Sequence, residues 1–402
     1  MTKKEKVELL VLIMTTGFFL AVGYCYVMGM YLGKPWPYNT FLFFPQDVFA
    51  DFMLPIAELA RGPYLGQTYA YPPLMKTVFL LFSLLPHYVD IGLMFLIFLS
   101  FYCVKAWRYA ATEGSMLYRL TTLLALTLMS YPVLYTLDRG NSECLVFITV
   151  FYACERMYAG RDGGGTLALG ASAALKLFPA ACFPLALGFG GLRGAAKSVA
   201  WFLGLSAGGL LLLSGIYAMP PLLVFHNMLG VMHEYNRVCV LGSTGLIYAH
   251  SLWCLMKIAV LVLNRWFWHA TLDEAFFAPL MFPYFLCACA LFALGGFYVA
   301  ARETVVWRKI AVCIIMMDLL PYTSPDYKLL YITIPLLLFL NEKPGPYDAA
   351  YTVIFGLLLI PKNYMLPHKV MLGIPLNPLL MLALAAVIVR DNFREEKSAR
   401  RP

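Results

Sequence analysis

Apolar residues run along this chain in long blocks, with neither the alternation of half-buried strands nor the three-four spacing of surface helices. Runs suited to crossing a bilayer lie at 7–32, 88–105, 117–136, 144–158, 166–191, 198–218, 277–299, 309–321, 329–341, 349–361 and 376–389. A membrane helix needs about 20 apolar residues, and shorter runs are tolerated where protein surrounds them. The run 166–191 is long enough to cross twice. "KLFPAACFP" in its middle, with Pro179 and Pro184, breaks it into two half-helices. The pattern predicts an all-α polytopic membrane protein, a bundle of about 12 transmembrane helices, forming a single domain over 1–402. Two more apolar stretches, "TVFLLFSLL" at 77–85 and "LWCLMKIAVLVLN" at 252–264, are placed as interfacial or re-entrant helices. Counting either as a span would invert the side of every later basic cluster.

Composition excludes an ordinary soluble domain. The 402 residues are 61% hydrophobic and 13% charged, with a mean hydropathy of +0.73, whereas soluble domains carry about 25% charged residues. The net charge of +8 sits in short clusters between apolar runs, which is a topology signal and not a nucleic-acid patch. "MTKKEK", "VKAWRYAATEGSMLYR", "ERMYAGRD", "GLRGAAK", "ARETVVWRK", "NEKP" and the basic tail 390–402 share one side and hold roughly two-thirds of the Lys and Arg. That side is assigned to the cytoplasm, with both termini inside. The loops 33–87 and 219–276, "DRGN" at 138–141, "YTSPDYK" at 322–328 and "PKNYMLPHK" at 361–369 then face the other way. The first run follows Lys3, Lys4 and Lys6 and exceeds a signal-peptide core of about 7 to 15 residues, so it is expected to stay as a membrane helix. Most of the 10 cysteines lie in apolar runs as small hydrophobes, and no Cys or His spacing suggests a metal.

Against this background the outward polar residues stand out. "FFPQDVFADFM" at 43–53 places Asp47 and Asp51 four positions apart after the first span. Pro55 lacks the N–H that would meet the Asp51 carbonyl in a helix, so Asp51 is expected at or before a helix start. In "YAYPPLMK" at 69–76 a double proline launches a helix with Tyr71 beside it. "LYTLDRGNSE" at 134–143 offers Arg139, suited to a bidentate grip on phosphate, and Asn141 or Ser142 as a helix cap. Lys176 lies inside an apolar run beside a helix break, where an unpaired ammonium costs about 2.5 kcal/mol or more. "YTSPDYK" presents Asp326, Tyr327 and Lys328 behind Pro325, and the long loop carries His226 among other polar residues. Capping, turns, solvated loops and snorkelling are the plain alternatives at each position. Two acids, several cations and aromatics on one face together suit an anionic lipid headgroup.

In order along the chain, Asp51, "ARGPYLGQTYAYPPL", the "RGN" turn, "ALKLFPA" and "SPDYKLLYITIPLLLF" resemble the polyprenyl-phosphate-dependent glycosyltransferases of the GT-C class. They are most similar to glycosyltransferase family 87, the phosphatidylinositol-mannoside mannosyltransferase type. The resemblance covers about residues 45–340. It implies a GT-C bundle with extracytoplasmic interfacial helices in a bacterial inner membrane. It implies a polyprenyl-phosphate sugar donor, a lipid-linked or glycan acceptor, Asp51 as catalytic base with Asp47 in reserve, and Lys176 near the donor phosphate. Arg139 and Lys328 are the further phosphate-binding candidates. Tyr71, Asn141, Asp326, Tyr327 and His226 are candidates for substrate contact. Many members carry a Trp and a His shortly after the Ser-Pro motif, where this chain has Asp326, Tyr327 and Lys328, so the mannose-specific detail does not transfer.

A lipid-phosphate donor brings its own leaving group, so the enzyme needs a base for the acceptor hydroxyl and cations for the departing phosphate. No cofactor is expected and no nucleotide site is needed, with neither a Rossmann nor a P-loop signature present, while metal need is left open by the sequence. The main rival is a polyprenyl-lipid or glycolipid transporter or flippase, to which broken helices and an intramembrane Lys also belong. A non-catalytic membrane scaffold is the third, and predicts a silent Asp51→Asn.

Overall fold

The computed structural model describes residues 1–65, 69–110, 116–160, 162–242, 246, 248–269, 271–366 and 370–399. Parts of the charged segments, 111–115, 161, 367–369 and 400–402, lie outside the described residues. Helices dominate. In chain order they are α1 (Lys3–Tyr26), α2 (Ala50–Leu59), α3 (Pro73–Phe82), α4 (Val89–Ala110), α5 (Met116–Leu128) and α6 (Tyr131–Arg139). Then follow α7 (Glu143–Tyr158), α8 (Asp162–Leu175), α9 (Phe183–Ile216, two helical stretches broken at Gly191, φ 59°), α10 (Pro221–Tyr235) and α11 (Leu252–Leu263). The last are α12 (Glu274–Phe297), α13 (Val306–Leu319), α14 (Thr333–Phe339), α15 (Asp348–Leu359) and α16 (Gly373–Ala399). One small antiparallel pair, β1 (Met365–Leu366) with β2 (Val370–Met371), stands before α16.

Among the described residues, five helical stretches are long and apolar enough to cross a bilayer: Lys3–Tyr31, Val89–Ala110, Phe178–Ile216, Glu274–Arg302 and Gly373–Lys397. The pair α5–α6, bent by 50° where Pro132 opens α6, makes a sixth. Only 6% of the most apolar window of α12 is buried within the protein, so its side chains are left for lipid to cover. In contrast α13 is buried at every position from Trp307 to Leu319, and α14 throughout. These short helices are the centre of the bundle, and the chain is an integral membrane protein built around them.

The break expected near Lys176 is present. α8 ends at Leu175, a 3-10 turn covers Phe178–Cys182 with Pro179 in its first turn, and α9 begins at Phe183. At 10 residues, α3 is about 15 Å long, half a bilayer core. It packs on α2, α8 and α9 with Met75, Lys76 and Phe79 buried.

Charged residues inside the bundle collect at its two ends. At one end Lys6 and the Met1 ammonium both meet Asp348, at 3.3 and 3.0 Å. Arg308 meets Asp391 at 2.9 Å and grips both oxygens of Glu395 at 3.0 and 2.7 Å. The start of α1 and the last turns of α16 therefore lie at this end. α1 reaches α15 through Gly17 and Gly356. A Cβ on Gly17 would lie 2.6 Å from Ile360 and one on Gly356 2.9 Å from Ile13, so only glycine permits the approach. The other end of the bundle holds a second group of buried charges, among them Asp51, Arg139, Glu143, Lys176, Asp326 and Lys328.

Candidate functional site

Two left-handed residues build the far end. Gly140 (φ +60°) closes α6, and Phe49 (φ 60°) precedes α2. The two positions touch: a Cβ on Gly140 would lie 3.1 Å from the Phe49 Cα. The Phe49 N–H donates to the Asp138 carbonyl at 2.8 Å, which helps hold a backbone that costs a non-glycine residue about 1 to 2 kcal/mol. The start of α2 is thereby set against the end of α6, with Asp51 opposite Arg139.

Helix α2 begins one residue earlier than Pro55 suggests, so Asp51 is its second residue and Pro55 lies inside it. The carbonyl of Asp51, which Pro55 cannot bond, receives the Tyr71 hydroxyl at 3.3 Å instead. The Asp51 carboxylate accepts from the Arg139 guanidinium on Oδ1 and from Asn141 Nδ2 on Oδ2 at 2.6 Å. Asn141 Oδ1 accepts from Lys176 Nζ at 2.8 Å and from the Glu143 N–H at 3.0 Å, so from one residue ahead of the N-cap Ser142 it satisfies the first N–H of α7. Lys176 Nζ also meets Glu143 Oε1 at 2.8 Å, and the Tyr331 hydroxyl donates to Glu143 Oε2. One chain of charge-assisted hydrogen bonds thus runs Arg139, Asp51, Asn141, Lys176, Glu143, Tyr331. Asp51, Arg139 and Lys176 keep 6 to 8% of their surface open while Glu143 and Tyr331 keep none. The first three are the members a ligand can touch.

Aromatic side chains wall this chain. Lys176 Nζ lies 5.2 Å from the Tyr71 ring centre and 5.6 Å from that of Tyr327. Tyr327 lies nearly parallel to Tyr135 at 6.2 Å, and Tyr69 to Tyr71 at 6.1 Å. The Arg139 guanidinium sits 4.1 Å from the Phe43 ring centre, and Tyr248 packs on Phe43. Burial, with a contribution from the Asp51 charge, raises the hydroxyls of Tyr69, Tyr71, Tyr235, Tyr248 and Tyr327 above the ordinary phenol range. They are neutral at physiological pH, offering flat faces and O–H donors.

The remaining expected residues take different places. Asp47 is half-buried and gives Arg139 its backbone carbonyl at 3.1 Å. Lys328 is buried, with its ammonium 4.0 Å from the Phe178 ring centre and 3.5 Å from the Thr323 carbonyl. Burial lowers it to about 8, against the pull of Glu143 and Asp318. Asp326 turns away from the chain, toward Tyr131 and His250. His226 is exposed on α10 and takes no part in these bonds. Sequence reasoning missed Glu143 and Tyr331. The first passes for an acid in a helix first turn, the second for one more apolar position of a span. Among the described residues no three His, Cys, Asp or Glu side chains gather as a metal centre would need.

The model of glycosyltransferase family 87 matches residues 69–321. The chain belongs to glycosyltransferase family 87. The matched stretch contains Tyr71, Arg139, Asn141, Glu143 and Lys176, while Asp51 precedes it and Asp326, Tyr327, Lys328 and Tyr331 follow it. No curated protein and no solved structure matches the chain. As a family 87 member it is a glycosyltransferase, acting on a sugar donor and an acceptor.

Proposed function

We propose that this family 87 enzyme moves a sugar, mannose or one like it, from a polyprenyl-phosphate donor to a lipid-linked or glycan acceptor, by a single inverting displacement on the extracytoplasmic face. Counting the short buried helices as crossings brings the bundle to about twelve, and the positive-inside rule sets the termini in the cytoplasm of a bacterial inner membrane. The observation that carries the reading is that Asp51 and Lys176, 125 positions apart by number, are held one carboxamide apart by Asn141.

Each Asp51 oxygen accepts one hydrogen bond within the protein and has lone-pair capacity left for another. Asp51 takes the proton of the acceptor hydroxyl as that oxygen bonds to the anomeric carbon. The bond from that carbon to the donor phosphate breaks, and the electron pair leaves on the phosphate. Lys176 and Lys328 neutralise the departing charge. Arg139 and Asn141 orient Asp51, and Arg139 reaches the donor only at its open edge. Glu143 and Tyr331 fix Lys176, and the tyrosine faces hold the sugar rings. No second carboxylate is needed close to the anomeric carbon, unlike the retaining pair of glycoside hydrolases.

The test is transfer from a polyprenyl-phosphate sugar by the purified protein. Asp51→Asn is expected to lose about 10² to 10⁴ in rate, the contribution of a positioned base, while remaining monodisperse. Asp47→Asn should cost less, because Asp47 contributes a carbonyl that the substitution leaves in place. A dead Asp47 variant beside an active Asp51 variant would reverse the roles, and full activity in both would end the glycosyl-transfer reading of this pair.

A further inference from the structure

The turn Asp326-Tyr327-Lys328 sends the first side chain one way and the other two the opposite way. Tyr327 and Lys328 enter the site. The Asp326 carboxylate points behind it, accepting from the Tyr131 hydroxyl at 2.9 Å, pairing with His250 Nδ1 at 2.9 Å and receiving Asn377 Nδ2 at 3.4 Å. Asn363 Nδ2 in turn donates to the Tyr131 hydroxyl at 2.9 Å. Every member of this second network is buried, and His250 completely.

The main chain doubles the connection. Asp326 N–H bonds the Tyr248 carbonyl at 3.0 Å, His250 N–H bonds the Ser324 carbonyl at 2.9 Å, and Ala249 and Pro325 form an antiparallel bridge. The segment on each side of His250 is thus zipped to the segment that precedes Tyr327. His250 Nε2 has no hydrogen-bond partner among the described residues. The polar commitment of the ring is its Nδ1 contact to Asp326.

We propose that His250 and Asp326 are positioning residues for the donor: a buried strut that fixes the turn so that Tyr327 lies under Lys176 and Lys328 stands beside Phe178. The inference rests on reading Tyr327 and Lys328 as donor contacts. It removes Asp326 from the substrate-contacting set and adds a histidine that meets no substrate. Loosening the strut leaves the base and Lys176 untouched but lets the turn drift, so the loss falls on donor binding and not on the chemical step.

Donor KM and kcat of the full-length protein in detergent, with a polyprenyl-phosphate sugar, test this. His250→Leu, which removes the Nδ1 contact, is expected to raise donor KM about tenfold, in keeping with the loss of one buried charge-assisted hydrogen bond, with kcat within about twofold. His250→Asn places an amide near the lost Nδ1 and should return KM to within about threefold of wild type. Asp326→Asn, which keeps an acceptor oxygen for the ring, serves if His250→Leu does not fold, and should raise KM in the same direction. Wild-type KM in every variant that folds, with only yield or thermal midpoint reduced, would overturn the strut. So would equal KM values for His250→Asn and His250→Leu. Lys328→Met is the control: if it leaves donor KM unchanged, the donor-contact reading itself has failed, whatever the histidine does.

Discussion

A buried lysine can be charged or neutral, and Lys328, proposed above to face the donor phosphate, is close to the point of choice. Burial brings it to about 8, so its ammonium is lost as pH rises through that value, well below the ordinary lysine range. Donor kcat/KM, which reports the free enzyme, is expected to fall above pH about 8. Lys328→Arg, always protonated, should carry the activity to higher pH; an unchanged alkaline limb in that variant would separate Lys328 from the donor. At this scale much of the site was legible. Asp51, Arg139, Asn141 and Lys176 each combined a polar group with a place where a helix must start, stop or break, and all four lie in one hydrogen-bonded chain. Glu143 was hidden because an acid in a helix first turn needs no further reason. The direction of Asp326 was hidden because sequence order says nothing of which way successive side chains of a tight turn face. Nothing local marked His250, whose partner is 76 residues away.

Among the elements, the start of α2 and the end of α6 matter most, because their contact sets the Asp51 carboxylate against the Arg139 guanidinium. Gly140→Ala puts a side chain on a left-handed residue, at about 1 to 2 kcal/mol, and drives its Cβ against the Phe49 backbone. Thermal midpoint and transfer rate are both expected to drop, the rate by about tenfold or more because a small displacement of a catalytic group is costly. Retention of both would show that the turn is not what aligns Asp51. The proline-marked breaks at 179 and 184 and the proline start of α3 were legible because the missing N–H acts locally. The start of α2 was not, since a hydroxyl from 20 residues downstream compensates for Pro55. Hydropathy also could not distinguish α13 and α14, enclosed by protein, from α12, which faces lipid, because both environments are apolar.

For the whole molecule, the start of α1 and the end of α16 lie opposite the chain from Arg139 to Tyr331, and the topology proposed above puts the first end in the cytoplasm. In a protein with the exposed Cys287 and Cys289 replaced, a membrane-impermeant maleimide is expected to label Arg237→Cys in intact cells. Lys343→Cys should be labelled only after permeabilisation, and labelling of both in intact cells would overturn the assignment. The seat of α1 bears on biogenesis. α1 is made before α15, yet its Lys6 pairs with Asp348 at the start of that helix, and Gly17 waits for Ile360. During most of translation, then, α1 must rest in the bilayer without its partner. Its docking is a late, long-range closure of the kind that slows assembly. Replacing Lys6 would remove an ammonium that makes this last contact, whereas a change at the Asp51 end of the bundle leaves the closure intact.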